Sequence, residues 1–282
     1  MIHIQAQLER IKISKQRSKE NDYEQHPRNI RFYDCHPHST EPHFLERSVG
    51  SKPALNEERN VSAPFEPGRF RPLYRISHDS FEPDFVEKTA NFVKQHHLLA
   101  GTTLNTRFSG TEGFSIALTR SGVPRLKASF PLFHEFLEKT TPDRANAFFI
   151  NPLCINQGAH VAPHVDRSLN TWTRPELPPF PIKVSVLYLD VADDLEGGTL
   201  LLYPPLMAFH RKPRITPQTG LFFEFRGDLR HEVAAVVKSS RARVSLVMEH
   251  YEMPPYLLRK IPEFYVKSSR DFASIMEEAM TP

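Results

Sequence analysis

His164 and Asp166 stand two residues apart in the segment His160-Val161-Ala162-Pro163-His164-Val165-Asp166. Alternate side chains of an extended strand leave the same face, so this spacing sets an imidazole beside a carboxylate. A second imidazole, His231, follows 67 positions later, just after the apolar run Leu221-Phe222-Phe223-Glu224-Phe225. Two histidines and one carboxylate are the set that holds non-haem Fe(II) on one face and leaves other positions open for substrate and oxygen. The His-x-Asp pair alone is common and would equally suit a polar surface strand. Its weight comes from combination with the distal histidine and with Arg241 and Arg243, beside Ser245, on a later strand. A guanidinium fork suits a bidentate grip on a carboxylate.

These residues need strands to carry them. Beyond Ala145 the pattern predicts strands at Ala147 to Ile150, His160 to Asp166, Ile182 to Asp190, Thr199 to Tyr203, Gly220 to Phe225, His231 to Val237 and Arg243 to Glu249. Glu196-Gly197-Gly198 reads as a hairpin connection. Some seven short strands separated by turn signals imply a double-sheet sandwich or jelly roll. Upstream, Phe85, Val86, Thr89, Phe92 and Val93 recur at helical spacing after Pro83, predicting a helix to about His97. His96 and His97 near its end are expected as dipole partners. Phe114 to Thr119 reads as a strand and Phe130 to Lys139 as a second helix, both supplying core.

Taken in order, His164-Val-Asp166, Val186-Leu-Tyr188-Leu-Asp190, Glu196-Gly-Gly198-Thr-Leu200, Gly220-Leu-Phe-Phe223, His231-Glu-Val233 and Arg243-Val-Ser245-Leu-Val247 resemble the Fe(II)- and 2-oxoglutarate-dependent dioxygenases, in their prolyl-hydroxylase-like branch. The resemblance covers about 145–252. It implies a double-stranded β-helix, a cupin-like jelly roll, with flanking helices: mainly β, α+β in class. It further implies His164, Asp166 and His231 as the metal ligands, with no other catalytic residue. A basic residue would take the far carboxylate of 2-oxoglutarate. Counting from the distal histidine favours Arg241 for that role, whereas the local Arg-x-Ser pattern favours Arg243 with Ser245. The two share a strand face by parity, so one, with Arg243 preferred, would grip the co-substrate while the other supports it or meets substrate. Tyr188 and Tyr203 are candidate hydrogen-bond donors to 2-oxoglutarate or substrate and equally candidates for buried core tyrosines.

The activity so implied is hydroxylation of an unactivated C–H bond of an amino acid, peptide or related small molecule, using Fe(II), 2-oxoglutarate and O2 and releasing succinate and CO2. The resemblance also leaves room for ascorbate. Asp166 fills the carboxylate position that related halogenases leave to a halide, so hydroxylation is favoured over halogenation. Two other readings stay open: a jelly-roll metalloenzyme without 2-oxoglutarate, such as a cupin-like isomerase or hydrolase, and a non-catalytic binding module. Arg167, Arg174, Lys183, Arg211, Lys212 and Arg214 flank these strands and are expected as solvated loop charge, some free to meet a substrate carboxylate. The Trp172–Pro181 loop, with its four prolines, would be a lid or simple packing. Asn151 and His160 are expected to be structural.

Composition bounds the rest. The 282 residues include 39% hydrophobic residues and 21 Phe, enough for a real core, and 25 Pro against 11 Gly suits a fold rich in irregular connections. A formal charge of +3 argues against nucleic acid and permits an anionic ligand. Cys35 and Cys154 make no disulfide framework, and neither a membrane span nor a leader segment is evident, so the expectation is a cytoplasmic protein of unassigned oligomeric state. Residues 1–70 read as an irregular N-terminal extension. A short amphipathic start (Ile2, Ile4, Leu8, Ile11) precedes a charged run, and the Cys35-His36-Pro37-His38 cluster with His43 reads as a polar loop. A domain over 71–282 follows, with helical support at 80–140, a jelly-roll core at 145–252 and a C-terminal segment at 253–282.

Overall fold

The computed structural model describes residues 73–102, 107–108, 110–203 and 212–270, all within one compact unit, Val61–Pro282. The amphipathic start and the Cys35–His43 cluster lie outside the described residues. Two antiparallel sheets face each other as a jelly roll. The larger has nine strands. Its centre is formed by Phe222–Phe225 (β11), Lys183–Asp190 (β7), Arg243–Tyr251 (β14) and Ala147–Ile155 (β5), adjacent in that order. Tyr74–Ser77 (β1) pairs outside β11. On the other side β5 pairs with Thr111–Gly113 (β3) and Ser115–Thr119 (β4), which carry Ala100–Gly101 (β2) and Phe264–Lys267 (β15) respectively. The smaller sheet runs Arg214–Ile215 (β10), Leu200–Tyr203 (β9), Arg230–Val233 (β12) and Val161–His164 (β6). Glu196–Gly197 (β8) pairs with Val236–Lys238 (β13), so the expected hairpin turn is itself a short ribbon.

Strand alternation builds both layers. On β7, Val184, Val186 and Tyr188 enter the core between the sheets, whereas Leu187 and Leu189 point the other way. The outer face is covered by helices Pro83–Gln95 (α1), Val123–Ser129 (α2) and Pro131–Thr140 (α3). Pro occupies the first turn of each, where its missing N–H costs nothing. Phe85, Val86, Ala90 and Val93 of α1 and Phe133, Phe136 and Leu137 of α3 are buried against the sheet, each large side chain contributing about 1.5–3 kcal/mol relative to exposure. Cys154 lies in the same core as a free thiol, and burial pushes it up to about 12. The helix expected to reach His97 ends at Gln95. His96 is not a charged dipole partner: desolvation and then neighbouring His97 lower its pKa to about 4, and its ring stacks on Phe114 at 4.9 Å. No described helix is long and apolar enough to cross a membrane.

Two strands depart from the sequence pattern for local reasons. β5 continues through Pro152 to Ile155 instead of stopping at Ile150. It is tolerated because the neighbouring edge breaks there: β4 pairs with residues up to Ile150 and β3 resumes at Leu153. With the Asn151 amide assigned so that its nitrogen faces this break, it donates to the Phe114 carbonyl at 2.9 Å. The edge strand β6 is shorter than expected, leaving exposed His160 before it and Asp166 just beyond it. Its register against β12 pairs His164 with His231 but Val161 with Val233. Ala162 and Pro163 therefore share one partner, a β-bulge that bends and twists the strand.

Candidate functional site

The bulged pair β6 and β12 brings His164 and His231 directly opposite each other, with ring centroids 4.3 Å apart. Asp166 closes the triangle. Its Oδ1 is 3.3 Å from His164 Nε2 and its Oδ2 3.5 Å from His231 Nε2. All three residues are buried, and one ligand atom from each lies within 4.8 Å of the others. Each imidazole is oriented by its own strand: His164 Nδ1 donates to the Ala162 carbonyl at 2.9 Å, and His231 Nδ1 to the Leu229 carbonyl at 3.0 Å. A carbonyl only accepts, so Nδ1 of each ring carries a proton and Nε2 is the nitrogen turned inward, the one a metal would take once it is unprotonated. Phe108 and Phe225 pack edge-on against the two rings at 5.3 and 4.8 Å.

The electrostatics fit a shared cation. Burial opposes charge on Asp166, but His231 and His164 outweigh it and hold the carboxyl below its usual range. Burial lowers His231, with Asp166 offsetting only part of the effect; at His164 burial is outweighed by the hydrogen bond and charge of Asp166, and the pKa is raised. A metal would have to displace the His164 proton, since only a free imidazole nitrogen coordinates.

The cavity beside this triad is lined by one face of β14: Arg243, Ser245, Val247 and Glu249 in alternation. Arg243 is 2% exposed. Its Nη1 donates to the Gly198 carbonyl at 2.5 Å and its Cζ lies 5.1 Å from the Tyr188 ring centre. Yet Arg243 Nε and the Tyr188 hydroxyl are both buried without any hydrogen-bond partner, and no described carboxylate pairs with the guanidinium. Ser245 stands opposite Tyr188 in the sheet, its hydroxyl only loosely engaged with the Leu153 carbonyl at 3.4 Å. Leu153, Val161, Val186, Leu200, Val233 and Val247 complete an apolar wall around about 60 Å³. Gly198 has φ +63° and faces the guanidinium, Arg243 Nη1 coming within 3.8 Å of where a Cβ would stand; at Gly197 (φ +86°) a Cβ would strike the Ala235 carbonyl at 2.1 Å. The Gly-Gly turn is thus a close-approach device.

The expected partnership of the two arginines does not hold. Arg241 precedes β14 and turns outward, where Nε meets Asp190 Oδ1 at 2.9 Å and Nη2 donates to the Val191 carbonyl at 2.9 Å. The Asp190 carboxylate, also held by Lys94, captures it at the surface; it does not line the cavity. Tyr203 is likewise outside, in a surface hollow with Lys212 and Arg214. Lys183 is buried on the opposite face of β7, paired with Glu224. Arg211 lies outside the described residues. Arg167 and Arg174 remain close to the triad, lining an open cavity that adjoins it. Sequence reasoning missed Glu249, a fully buried carboxyl held by the Ser168 amide (3.1 Å), the Ser168 hydroxyl (2.5 Å) and the Tyr251 hydroxyl. Burial and the nearby Asp166 charge push it up to about 8 against these donors. Its inward parity with Arg243, Ser245 and Val247 was the available signal.

No family model and no curated protein matches this chain. Solved structures do align with it. A prolyl-4-hydroxylase from Pseudomonas putida is 18% identical at a TM-score of 0.44, covering 64% of this chain and 94% of the other. A 2OG-Fe(II) oxygenase family oxidoreductase from Burkholderia pseudomallei is 14% identical at 0.44, covering 64% and 86%. A viral collagen prolyl hydroxylase from Paramecium bursaria Chlorella virus-1, in complex with 2OG, is 16% identical at 0.41, covering 64% and 95%. At such identities and scores, the chemistry of the site is read from its own geometry.

Proposed function

We propose that this chain is an Fe(II)- and 2-oxoglutarate-dependent dioxygenase that hydroxylates an unactivated C–H bond of an amino acid, peptide or related small molecule. One observation carries the reading: a buried guanidinium without an anionic partner, Arg243, shares a cavity with the His164, Asp166 and His231 triad. An unpaired buried charge costs several kcal/mol, and arginine cannot relieve it by losing a proton. A ligand with one carboxylate for Arg243, Ser245 and Tyr188 and a second oxygen group for the triad satisfies both ends at once. 2-Oxoglutarate has that form.

Iron held by the triad supplies oxygen activation coupled to oxidative decarboxylation of 2-oxoglutarate to succinate and CO2. The chain's own part is positional. Ala162 and Leu229 carbonyls orient the two imidazoles, Asp166 contributes the charge, and the aliphatic wall excludes water from the reacting face.

The test uses Mn(II) as a redox-inert stand-in and calorimetric titration of 2-oxoglutarate. Wild-type protein should bind both, and Asp166→Ala should lose Mn(II) binding while staying folded. Arg243→Gln should keep Mn(II) but weaken 2-oxoglutarate by tens of fold or more, the consequence of losing about 2–5 kcal/mol. With Fe(II) and O2, wild type should form succinate. Wild-type protein that binds Mn(II) but neither binds 2-oxoglutarate nor forms succinate would overturn the reading in favour of a cupin-like isomerase or hydrolase.

A further inference from the structure

Outside the triad, an open cavity of about 500 Å³ shares Phe108, Phe149, His164, Asp166 and Ser168 with the inner one. Arg243 lines only the inner cavity; Arg107, Arg167, Arg174 and Lys267 line only the outer. His164 and Asp166 border both, so a metal bound there would face the two spaces. Asp166 is the sole described carboxylate in the outer wall, and it is engaged by the two histidines. The acid of the adjacent loop, Glu176, is committed to Lys260 at 2.5 Å.

Arg167 and Arg174 from one loop and Lys267 from β15 converge here, and Asp166 is the one carboxylate that the described wall sets among them. Arg167 is fixed in place, its Cζ 3.8 Å over the Phe180 ring, with a buried Nε that has no partner. Arg174 and Lys267 are exposed and have no ion-pair partner among the described residues. Solvated charge on unrelated loops would be expected in mixed signs; this wall sets its cations against a single carboxylate already engaged by two histidines, beside the triad, around a volume suited to a small ligand. Trp172, packed against Tyr265 at 5.7 Å, gives the same space an aromatic side.

We infer that the substrate carries an anionic group, a carboxylate or a phosphate, which Arg167, Arg174 and Lys267 hold in the outer cavity while the carbon to be oxidised faces the metal. This substrate class rests on the oxygenase reading above, but the anion site does not, and the two are tested separately. Full-length protein loaded with Mn(II) and saturating 2-oxoglutarate, so that Arg243 is occupied, is titrated with hexanoate, hexyl phosphate and hexanamide. One of the two anions should bind at least about tenfold more tightly than the neutral amide, the scale of a charge-assisted hydrogen bond; which anion binds tighter distinguishes carboxylate from phosphate. Arg174→Gln/Lys267→Gln, both exposed positions, should reduce that preference while Mn(II) and 2-oxoglutarate affinities stay unchanged, and adding Arg167→Gln should abolish it. The same titrations on Arg243→Gln without 2-oxoglutarate separate the two readings. Anion binding that persists there, in a chain whose wild type ignores 2-oxoglutarate, keeps the outer site and removes the oxygenase. Equal binding of hexanamide and the anions, or unchanged anion binding in Arg174→Gln/Lys267→Gln, would overturn the inference.

Discussion

β7 and β14 lie side by side and bury charge on both of their faces, in two contrasting ways. On the helix-covered face, Lys183 pairs with Glu224, Ser185 donates to the same carboxylate at 3.0 Å, and Ser185 meets His250 Nε2 at 3.1 Å. Only His250 Nδ1 lacks a partner there, and burial keeps that imidazole neutral. On the cavity face Arg243 keeps an open Nε, with an unpartnered Tyr188 hydroxyl across from Ser245. The side chains on both faces are buried. The difference teaches that buried charge by itself marks nothing; buried charge left incomplete, next to space, marks where something else must bind.

The contrast breaks most sharply if the finished side is damaged. Lys183→Met strands Glu224 and should cost about 3–5 kcal/mol, read as a lower urea midpoint, whereas Lys183→Met/Glu224→Leu should recover most of it. Glu249 sharpens the comparison, because an inner-face carboxyl can escape its charge by protonation. Its folded pKa near 8 stands above the ordinary 4.5, so the folded state holds the proton more tightly. The stabilisation is complete below about pH 4.5 and is lost as pH rises toward 8, at up to about 1.4 kcal/mol per unit. Glu249→Gln should flatten that slope in urea midpoints measured from pH 5 to 8. Arg243→Met removes a charge that nothing offsets, so it should raise stability by about 1–2 kcal/mol. A loss of stability there would mean that Arg243 is finished structure after all. Arg241→Ala, at a half-exposed ion pair, should change stability by less than about 1 kcal/mol and leave 2-oxoglutarate binding untouched.

Much of this was legible in the chain. The triad was readable because a histidine and a carboxylate two apart combine with a distal histidine on strand-like segments, and β7, β9, β11 and β14 because their runs are mostly apolar and bounded by turns. Arg241 and Arg243 could not be separated by parity, since residues two apart share a nominal face. What separates them is Asp190, which meets Arg241 across 51 residues of sequence. β1 and β15 escaped notice because four-residue, half-polar edge strands have no period to detect. The outer cations converge only through tertiary structure, from positions as distant as 107 and 267.

The bulge in β6 has a consequence for how this site tolerates change. Val161 and His164 both line the cavity although they are three residues apart, an odd interval that would place them on opposite faces of a regular strand. The extra residue at Ala162-Pro163 resets the phase of the chain just ahead of the ligands. An exchange of Ala162 for another small residue leaves the phase alone, and a deletion of one of the two bulged residues would leave Val161 and His164 two apart, still on one face of a now regular strand. What such a deletion removes is the local bend and extra twist, so the bulge governs the angle at which the chain runs on to Asp166 more than the facing of Val161.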